Sequence, residues 1–322
     1  MRVLVTGGTG YIGAHVVRLL KNRGDHVIVA DDVITGIRSR IGDVPLIELD
    51  LAADHAVETL ARAMSEHSID SVIHLAALKQ VGESVEKAAL YYRQNVGGTA
   101  NLLLAMQQAG LTSLVFSSSA AVYGSADGAV DESSPTPPIN PYGETKLIGE
   151  WLIAAATKSF ELRAISLRYF NVAGAGWPEL GDRAALNLVP MVFERMDAGE
   201  PPRIFGDDYA TPDGTCVRDF VHVLDVAEAH LATLDRLHGG QRGHRVYNIG
   251  TGSGTSVREV VDAILEVSGL GLTAEVLPRR AGDAATVVAV THRITEEIGW
   301  VSTRGIRDIV KSAWESHEHF AR

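Results

Sequence analysis

Tyr142 and Lys146 stand four residues apart in the stretch NPYGETKLIGE, residues 140–150. In a helix that spacing puts both side chains on one face. A free phenol titrates near pH 10, too high to serve as a base at neutrality. A neighbouring ammonium and a pyridinium-type cation would both favour the phenolate and bring that value down. Such a phenolate takes a proton from an alcohol while hydride leaves the same carbon. Ser119 lies in SSSAAVYG, residues 117–124, about twenty residues earlier, and would share the hydroxyl with Tyr142.

A second constellation lies at the N-terminus. GGTGYIG, residues 7–13, satisfies G-x-G-x-x-G through Gly8, Gly10 and Gly13, and also spaces Gly7, Gly10 and Gly13 three apart. Absent side chains let the backbone turn tightly and approach a pyrophosphate. The helix start that follows, through Tyr11 and Ile12, favours its negative charge. Asp31, eighteen residues past Gly13, is placed to bond an adenosine ribose. A carboxylate there repels a 2′-phosphate, so the expected cofactor is NAD rather than NADP. Asp50, in LIELDLA, is placed to bond the adenine amino group.

These residues need a scaffold. Runs 2–6, 26–31, 45–49, 71–76, 113–118 and 162–169 are nearly continuous in Val, Ile and Leu, as buried parallel strands are. Helical patterns lie between them at 11–23, 53–67, about 85–109 and 142–159, with Asn140 as N-cap and Pro141 in the first position. Such alternation predicts an α/β fold, a doubly wound parallel sheet of Rossmann type. The strand ends deliver Ser119 and its neighbours to the ligand crevice. After residue 170 the rhythm changes. Helices are expected near 187–198, 225–237, 256–268 and 304–319, with Ser256 and Glu259 as a capping box and a strand at 245–249. The expected division is a dinucleotide-binding domain over 1–170, with 205–250 returning to it. A smaller mixed α/β substrate-binding lobe would fill most of 171–322, with a cleft between the two.

Composition narrows the function. The chain has 322 residues, 46% of them apolar, and a net charge of −11, which argues against nucleic acid or anionic membrane as partner. No stretch approaches a membrane span, and the start MRVLVTGG does not read as a signal peptide. Cys216 is the single cysteine, so no intramolecular disulfide forms, which fits a cytoplasmic protein. His317 and His319, two apart, do not share a helical face, so no metal site is expected. His74 and His222 read as satisfied structural histidines.

GGTGYIG, the Ser119/Tyr142/Lys146 set and YFNVAGA (169–175) resemble the extended short-chain dehydrogenase/reductase family. HLAALKQVGES (74–84), YYRQNVGGT (91–99), LRYFNVAGA, NLVPMV (187–192), the long run 205–230 and PRRAGD (278–283) resemble the UDP-glucose 4-epimerases within it. The resemblance covers almost the whole chain. It implies tightly held NAD, a 4-keto sugar intermediate that turns over before reduction, and a UDP-sugar substrate. Tyr142 would be the base, Lys146 would bond the nicotinamide ribose, and Ser119 would bond the 4-oxygen. It further assigns Leu51, Leu75, Ala76, Lys79, Asn95, Ser117 and Tyr169 to the cofactor. To the UDP-sugar it assigns Asn171, Asn187, Leu188, Phe205, Arg218 and Arg280, the two arginines being suited to clamp a diphosphate on an acidic protein.

It also implies a homodimer built from helices 85–109 and 142–159, with Leu102, Leu103, Leu147, Trp151 and Leu152 as candidate contacts or core. Three positions depart from the pattern. Ala121 stands where a threonine is common, Leu75 where some members carry an aromatic residue, and Val287 near where some carry a tyrosine. The last would leave room for an N-acetyl sugar. A dehydratase would need an Asp-Glu pair where Ala120 and Ala121 stand. A non-catalytic NAD sensor would have little use for the Tyr–Lys–Ser set.

Overall fold

Arg2–Thr6, His26–Asp31, Leu46–Glu48, Ser71–His74, Ser113–Ser119 and Arg163–Tyr169 pair side by side, all parallel, in the computed structural model. The structure describes residues 1–280 and 282–321. His244–Ile249 adds a seventh strand at the edge beside Arg163–Tyr169. From the opposite edge the order is third, second, first, fourth, fifth, sixth, seventh, the doubly wound pattern. Order reverses between Arg2–Thr6 and Ser71–His74, so the glycine loop leaves the sheet at the switch point. Helices Ala56–Glu66, Gly98–Gln108 and Pro141–Ser159 bury Leu60, Met64, Leu102, Met106 and Ile153 against Leu4, Ile28, Val72 and Leu114. Each such side chain contributes about 1.5–3 kcal/mol through burial.

The chain divides into two compact units. One holds Met1–Gly124, Pro135–Tyr169 and Ala227–Tyr247; the other holds Ser125–Ser134, Phe170–Val226 and Asn248–Arg322. In the second half of the chain, Ala227–Tyr247 belongs to the sheet unit. A ten-residue excursion, 125–134, joins the second unit.

That unit has a four-stranded sheet ordered Thr255–Ser256, Val217–Arg218, Thr286–Ala289, Gly128–Val130, and two small parallel ladders. Helices Leu188–Asp197, Val257–Ser268 and Ile306–Ala321 pack there through Val189, Phe193, Val260, Ile264, Ile309 and Val310. The capping box at Ser256 and Glu259 is present in both directions.

One expected element differs. The stretch 85–109 is not a single α-helix. Val81–Glu86 and Ala88–Tyr91 are separate turns, and Tyr92–Gly97 is a π-helical segment before Gly98–Gln108. The wider turn directs Asn95 into the interior, where it is 5% exposed. The apolar residues on these helices also sort. Leu102, Leu103 and Leu147 are core and Leu152 packs against it, whereas Trp151 is 61% exposed and Leu104 53%.

Candidate active site

The first strand ends at Thr6 and the chain turns at Gly7, whose φ is +71°. A Cβ on Gly7 would lie 2.5 Å from the Ala76 nitrogen, and one on Gly13 would lie 2.1 Å from the Gly7 oxygen. Neither position tolerates a side chain, so the loop folds as a bare backbone cradle. Helix Tyr11–Arg23 rises from it with Gly10 as N-cap and no side-chain cap. Tyr11 is buried edge-on against His15, and Ile12 is half-buried.

Asp31 lies at the end of the next strand. Its carboxylate accepts hydrogen bonds from the Thr9 and Val33 amides, each at 2.9 Å, which pins it to the glycine loop. Asp50 accepts from the Ala52 amide at 2.8 Å and from Gln94 at 3.3 Å. Leu51 is buried, its carbonyl accepting from Asn101. Burial raises the Asp32 carboxyl, and the charges of Asp31 and Asp50 add to the rise. A corner this acidic is hostile to an extra phosphate. The bare cradle, the uncapped helix and the pinned carboxylate fit a dinucleotide without a 2′-phosphate.

Opposite the cradle, Leu75 and Ala76 donate their amides to the Thr6 backbone oxygen and hydroxyl, at 3.0 and 3.4 Å. His74 is fully enclosed. Its Nδ1 meets Thr6 Oγ1 at 2.6 Å and its Nε2 meets Thr99 Oγ1 at 3.1 Å. The Thr99 hydroxyl donates to the Asn95 carbonyl at 2.7 Å, so its oxygen must accept from His74 Nε2–H. Burial, helped by the Lys146 charge, brings the imidazole down to about 3. His74 is therefore neutral, a satisfied structural histidine as its sequence context suggested. Asn95 donates to the Leu78 carbonyl and to Thr145 Oγ1, both at 3.0 Å, and accepts from the Leu78 amide at 2.8 Å. Lys79 is exposed.

Asn140 caps helix Pro141–Ser159 by accepting from the Gly143 amide at 2.9 Å, with Pro141 in the first turn. Tyr142 and Lys146 then share one face. The Lys146 ammonium donates to the Ser117 carbonyl at 2.9 Å and stands 5.9 Å from the centre of the Tyr142 ring. Ser119 ends the fifth strand, accepts from the Ala121 amide at 3.1 Å, and its side chain bonds Tyr142. Ser119 lies in register with Tyr169. The Tyr169 hydroxyl meets His230 Nε2 at 2.6 Å and shares the Ser117 side chain. Ser119, Tyr142, Lys146, Ser117 and Tyr169 thus converge at the ends of two adjacent strands.

The electrostatics differ from the expectation in one respect. Burial is the largest influence on Tyr142 and pushes its phenol up, while the Ser119 hydrogen bond pulls the other way. Lys146 is itself brought down to about 8 by burial. The protein's own groups do not make Tyr142 acidic.

Of the residues assigned to the UDP-sugar, Ser119 and Tyr142 lie in the sheet unit, and Asn171, Asn187, Leu188, Phe205, Arg218 and Arg280 lie in the second. Asn171 is exposed and pairs in register with Phe220. Asn187, also exposed, donates to Asp182 at 3.1 Å and precedes helix Leu188–Asp197, with Leu188 packed on the core. The Arg280 guanidinium stacks on the Phe205 ring at 3.8 Å. Arg218 bonds the Val217 carbonyl and lies 3.9 Å from the Asp283 carboxylate. Val287 is next to Arg218 in the sheet. The arginines are held by neighbours in their own unit.

Sequence reasoning missed Thr6, Thr99, Glu150 and Arg168. Arg168 donates to both Glu150 oxygens, at 2.9 and 2.7 Å, inside the core. A signal existed: Glu150 continues the four-residue spacing of Tyr142 and Lys146.

A doubly wound sheet with a glycine cradle, an acid after the second strand and a Tyr–Lys pair beside a strand-end serine defines a short-chain dehydrogenase/reductase of the extended kind. More narrowly, residues 3–250 match the NAD dependent epimerase/dehydratase family, and the chain belongs to that family. Curated relatives agree over nearly full length. A UDP-glucose 4-epimerase of Azospirillum brasilense is 44% identical over 98% of this chain and 92% of its own, and that of Corynebacterium glutamicum 42% over 98% and 95%. The crystal structure of UDP-glucose-4-epimerase from Stenotrophomonas maltophila, with bound NAD and formylated UDP-arabinopyranose, superposes with a TM-score of 0.94. It is 38% identical, covering 100% of this chain and 99% of that one.

Proposed function

We propose that this chain interconverts UDP-glucose and UDP-galactose by reversible inversion at C4, through a 4-keto sugar, with NAD retained. The observation that carries this reading is the assembly of Ser119, Tyr142 and Lys146 in the same unit as the glycine cradle, in a chain that aligns end to end with UDP-glucose 4-epimerases. NAD, when bound, supplies a reversible acceptor for the hydrogen and electron pair removed from C4. Gly7, Gly10 and Gly13 would cradle its pyrophosphate, Asp31 would hold the adenosine ribose, and Lys146 would hold the nicotinamide ribose. Tyr142, as phenolate, takes the 4-hydroxyl proton onto its oxygen and Ser119 Oγ steadies the 4-oxygen. The sugar turns about its link to UDP, and Tyr142 returns the proton as configuration inverts.

In this reading the sheet unit binds the cofactor and the second unit the UDP-sugar, through Asn171, Asn187, Leu188, Phe205, Arg218 and Arg280. The diphosphate would compete with Asp283 for Arg218 and pair with an Arg280 already oriented by Phe205. The small Val287 beside Arg218 supports turnover of UDP-N-acetylglucosamine as well. The exposed Trp151 and Leu104, on neighbouring helices of one unit, support a homodimer through that face. No helix among the described residues is long and apolar enough to cross a membrane. The buried, free Cys216 supports a cytoplasmic setting, which fractionation into an oxidising compartment would contradict.

The test is a panel of UDP-sugars with purified protein. UDP-galactose and its N-acetylated analogue are both expected to turn over, and Tyr142→Phe is expected to keep fold and bound NAD but to lose about 10³-fold in kcat. Bound NAD with no turnover of any UDP-sugar would sink the epimerase reading. Full-speed turnover by Tyr142→Phe would sink the role given to that residue, and an inert acetylated sugar would sink only the wider specificity.

A further inference from the structure

Helix Pro141–Ser159 touches the catalytic strand at three levels. Tyr142, Lys146 and Glu150 are four residues apart and fall within about 80° of one another around the helix. Tyr142 bonds the Ser119 side chain, Lys146 donates to the Ser117 carbonyl at 2.9 Å, and Glu150 accepts from Ser118 Oγ at 2.5 Å. The first two involve residues of the proposed reaction. The third does not, yet it is the most elaborately built. Arg168, in register with Ser118 on the adjacent strand, grips both Glu150 oxygens through Nε and Nη2. The remaining arm of its guanidinium donates to the Tyr123 hydroxyl at 3.0 Å. Tyr123 belongs to the turn Ala120–Tyr123 that Ser119 caps. The Arg168 and Glu150 side chains are 6% and 5% exposed.

A buried ion pair of this kind is a poor way to stabilise a core. Desolvation offsets its attraction, and well-packed apolar residues of similar volume often serve as well or better. What a bidentate fork gives is direction, since guanidinium and carboxylate must be coplanar and at fixed separation. Here it locks one helix to two strands one turn beyond Lys146. It also ties in the turn that Ser119 begins. We infer that Glu150, held by Arg168 and Ser118, is a positioning residue that sets the placement of Tyr142 and Lys146 against Ser119. The inference rests on the reading of Tyr142 as the base. A displacement on the order of 1 Å at such a site costs about a hundredfold in rate.

The test uses the holoenzyme. The double variant Glu150→Met with Arg168→Met removes both charges together and leaves no orphaned ion. It is expected to keep its thermal midpoint and its bound NAD, with kcat down at least about tenfold, KM within about twofold, and the basic limb of the pH–rate profile displaced. Ser118→Ala, which deletes one hydrogen bond and leaves the pair in place, is expected to lose about three- to tenfold in kcat with the same signature. A folded double variant with unchanged kcat and pH profile overturns the inference. Should the double variant not fold, unchanged kcat and pH profile in Ser118→Ala overturn it instead. Tyr142→Phe separates the two readings. If that variant is inactive while the folded Met pair is fully active, positioning alone falls; if Tyr142→Phe is itself fully active, the catalytic reading falls first.

Discussion

Lys146 gives up its proton near pH 8 because burial penalises the charged form, whereas the same side chain in an unfolded chain holds it to about 10.5. Between those values the unfolded state binds the extra proton, so this group's contribution to stability rises with pH across that window. Below pH 8 both states are protonated and the burial penalty is fully present. Urea midpoints of the wild type relative to Lys146→Met should therefore climb between pH 8 and 10.5. A flat difference would show that Lys146 is not so shifted. Spacing on the helix revealed the Tyr142–Lys146 pair, but not its surroundings. How deep a residue lies is settled by segments far away in the chain, and that depth reverses the direction expected for Tyr142.

At the scale of the element, six strands were legible to within two residues. Buried parallel strands are continuous apolar runs, a pattern that residues 1–170 repeat between helices. The strands of the second unit, such as Val217–Arg218, Thr255–Ser256 and Thr286–Ala289, are two to four residues long. So short a stretch shows no alternation. The π-helical segment Tyr92–Gly97 was also hidden, since it uses the same residue types as an α-helix and betrays itself only by the direction of its side chains. That direction matters for Asn95, which makes three hydrogen bonds, two to Leu78 and one to Thr145. Asn95→Ala should cost about 2–3 kcal/mol in denaturant unfolding, because the Leu78 groups lose buried partners. It should also weaken retention of NAD, read from the absorbance of the purified protein. A variant as stable as wild type would mean water replaces the side chain without loss.

For the whole molecule, two properties invite measurement. His74, His222 and His244 are all depressed, chiefly by burial, to about 3, 4 and 4. Their folded values lie below the unfolded one near 6.5, so the unfolded chain binds more protons as pH falls. Stability should decline from about pH 6.5 downward, steeply by pH 4, and replacing His244 by Gln should soften the slope. Equal slopes would assign the acid sensitivity elsewhere. If the exposed Trp151 and Leu104 face a second copy, Trp151→Glu with Leu104→Glu should yield a monomer by analytical ultracentrifugation at micromolar concentration, with near-wild-type secondary structure. A variant that still sediments as a dimer would move the interface away from this face.

The order in which the sheet is threaded has a consequence for biosynthesis. The strand Arg163–Tyr169 gains its edge neighbour only when His244–Ile249 is made, after the intervening chain has contributed to the other unit. At about 5–20 residues per second a ribosome needs roughly 4–15 s to cross from Tyr169 to His244. Throughout that interval the nascent sheet presents an unpaired β-edge, the kind of surface on which neighbouring polypeptides nucleate aggregates. Yield in a heterologous host should therefore depend on translation speed through that stretch and on chaperones that shield a half-made protein.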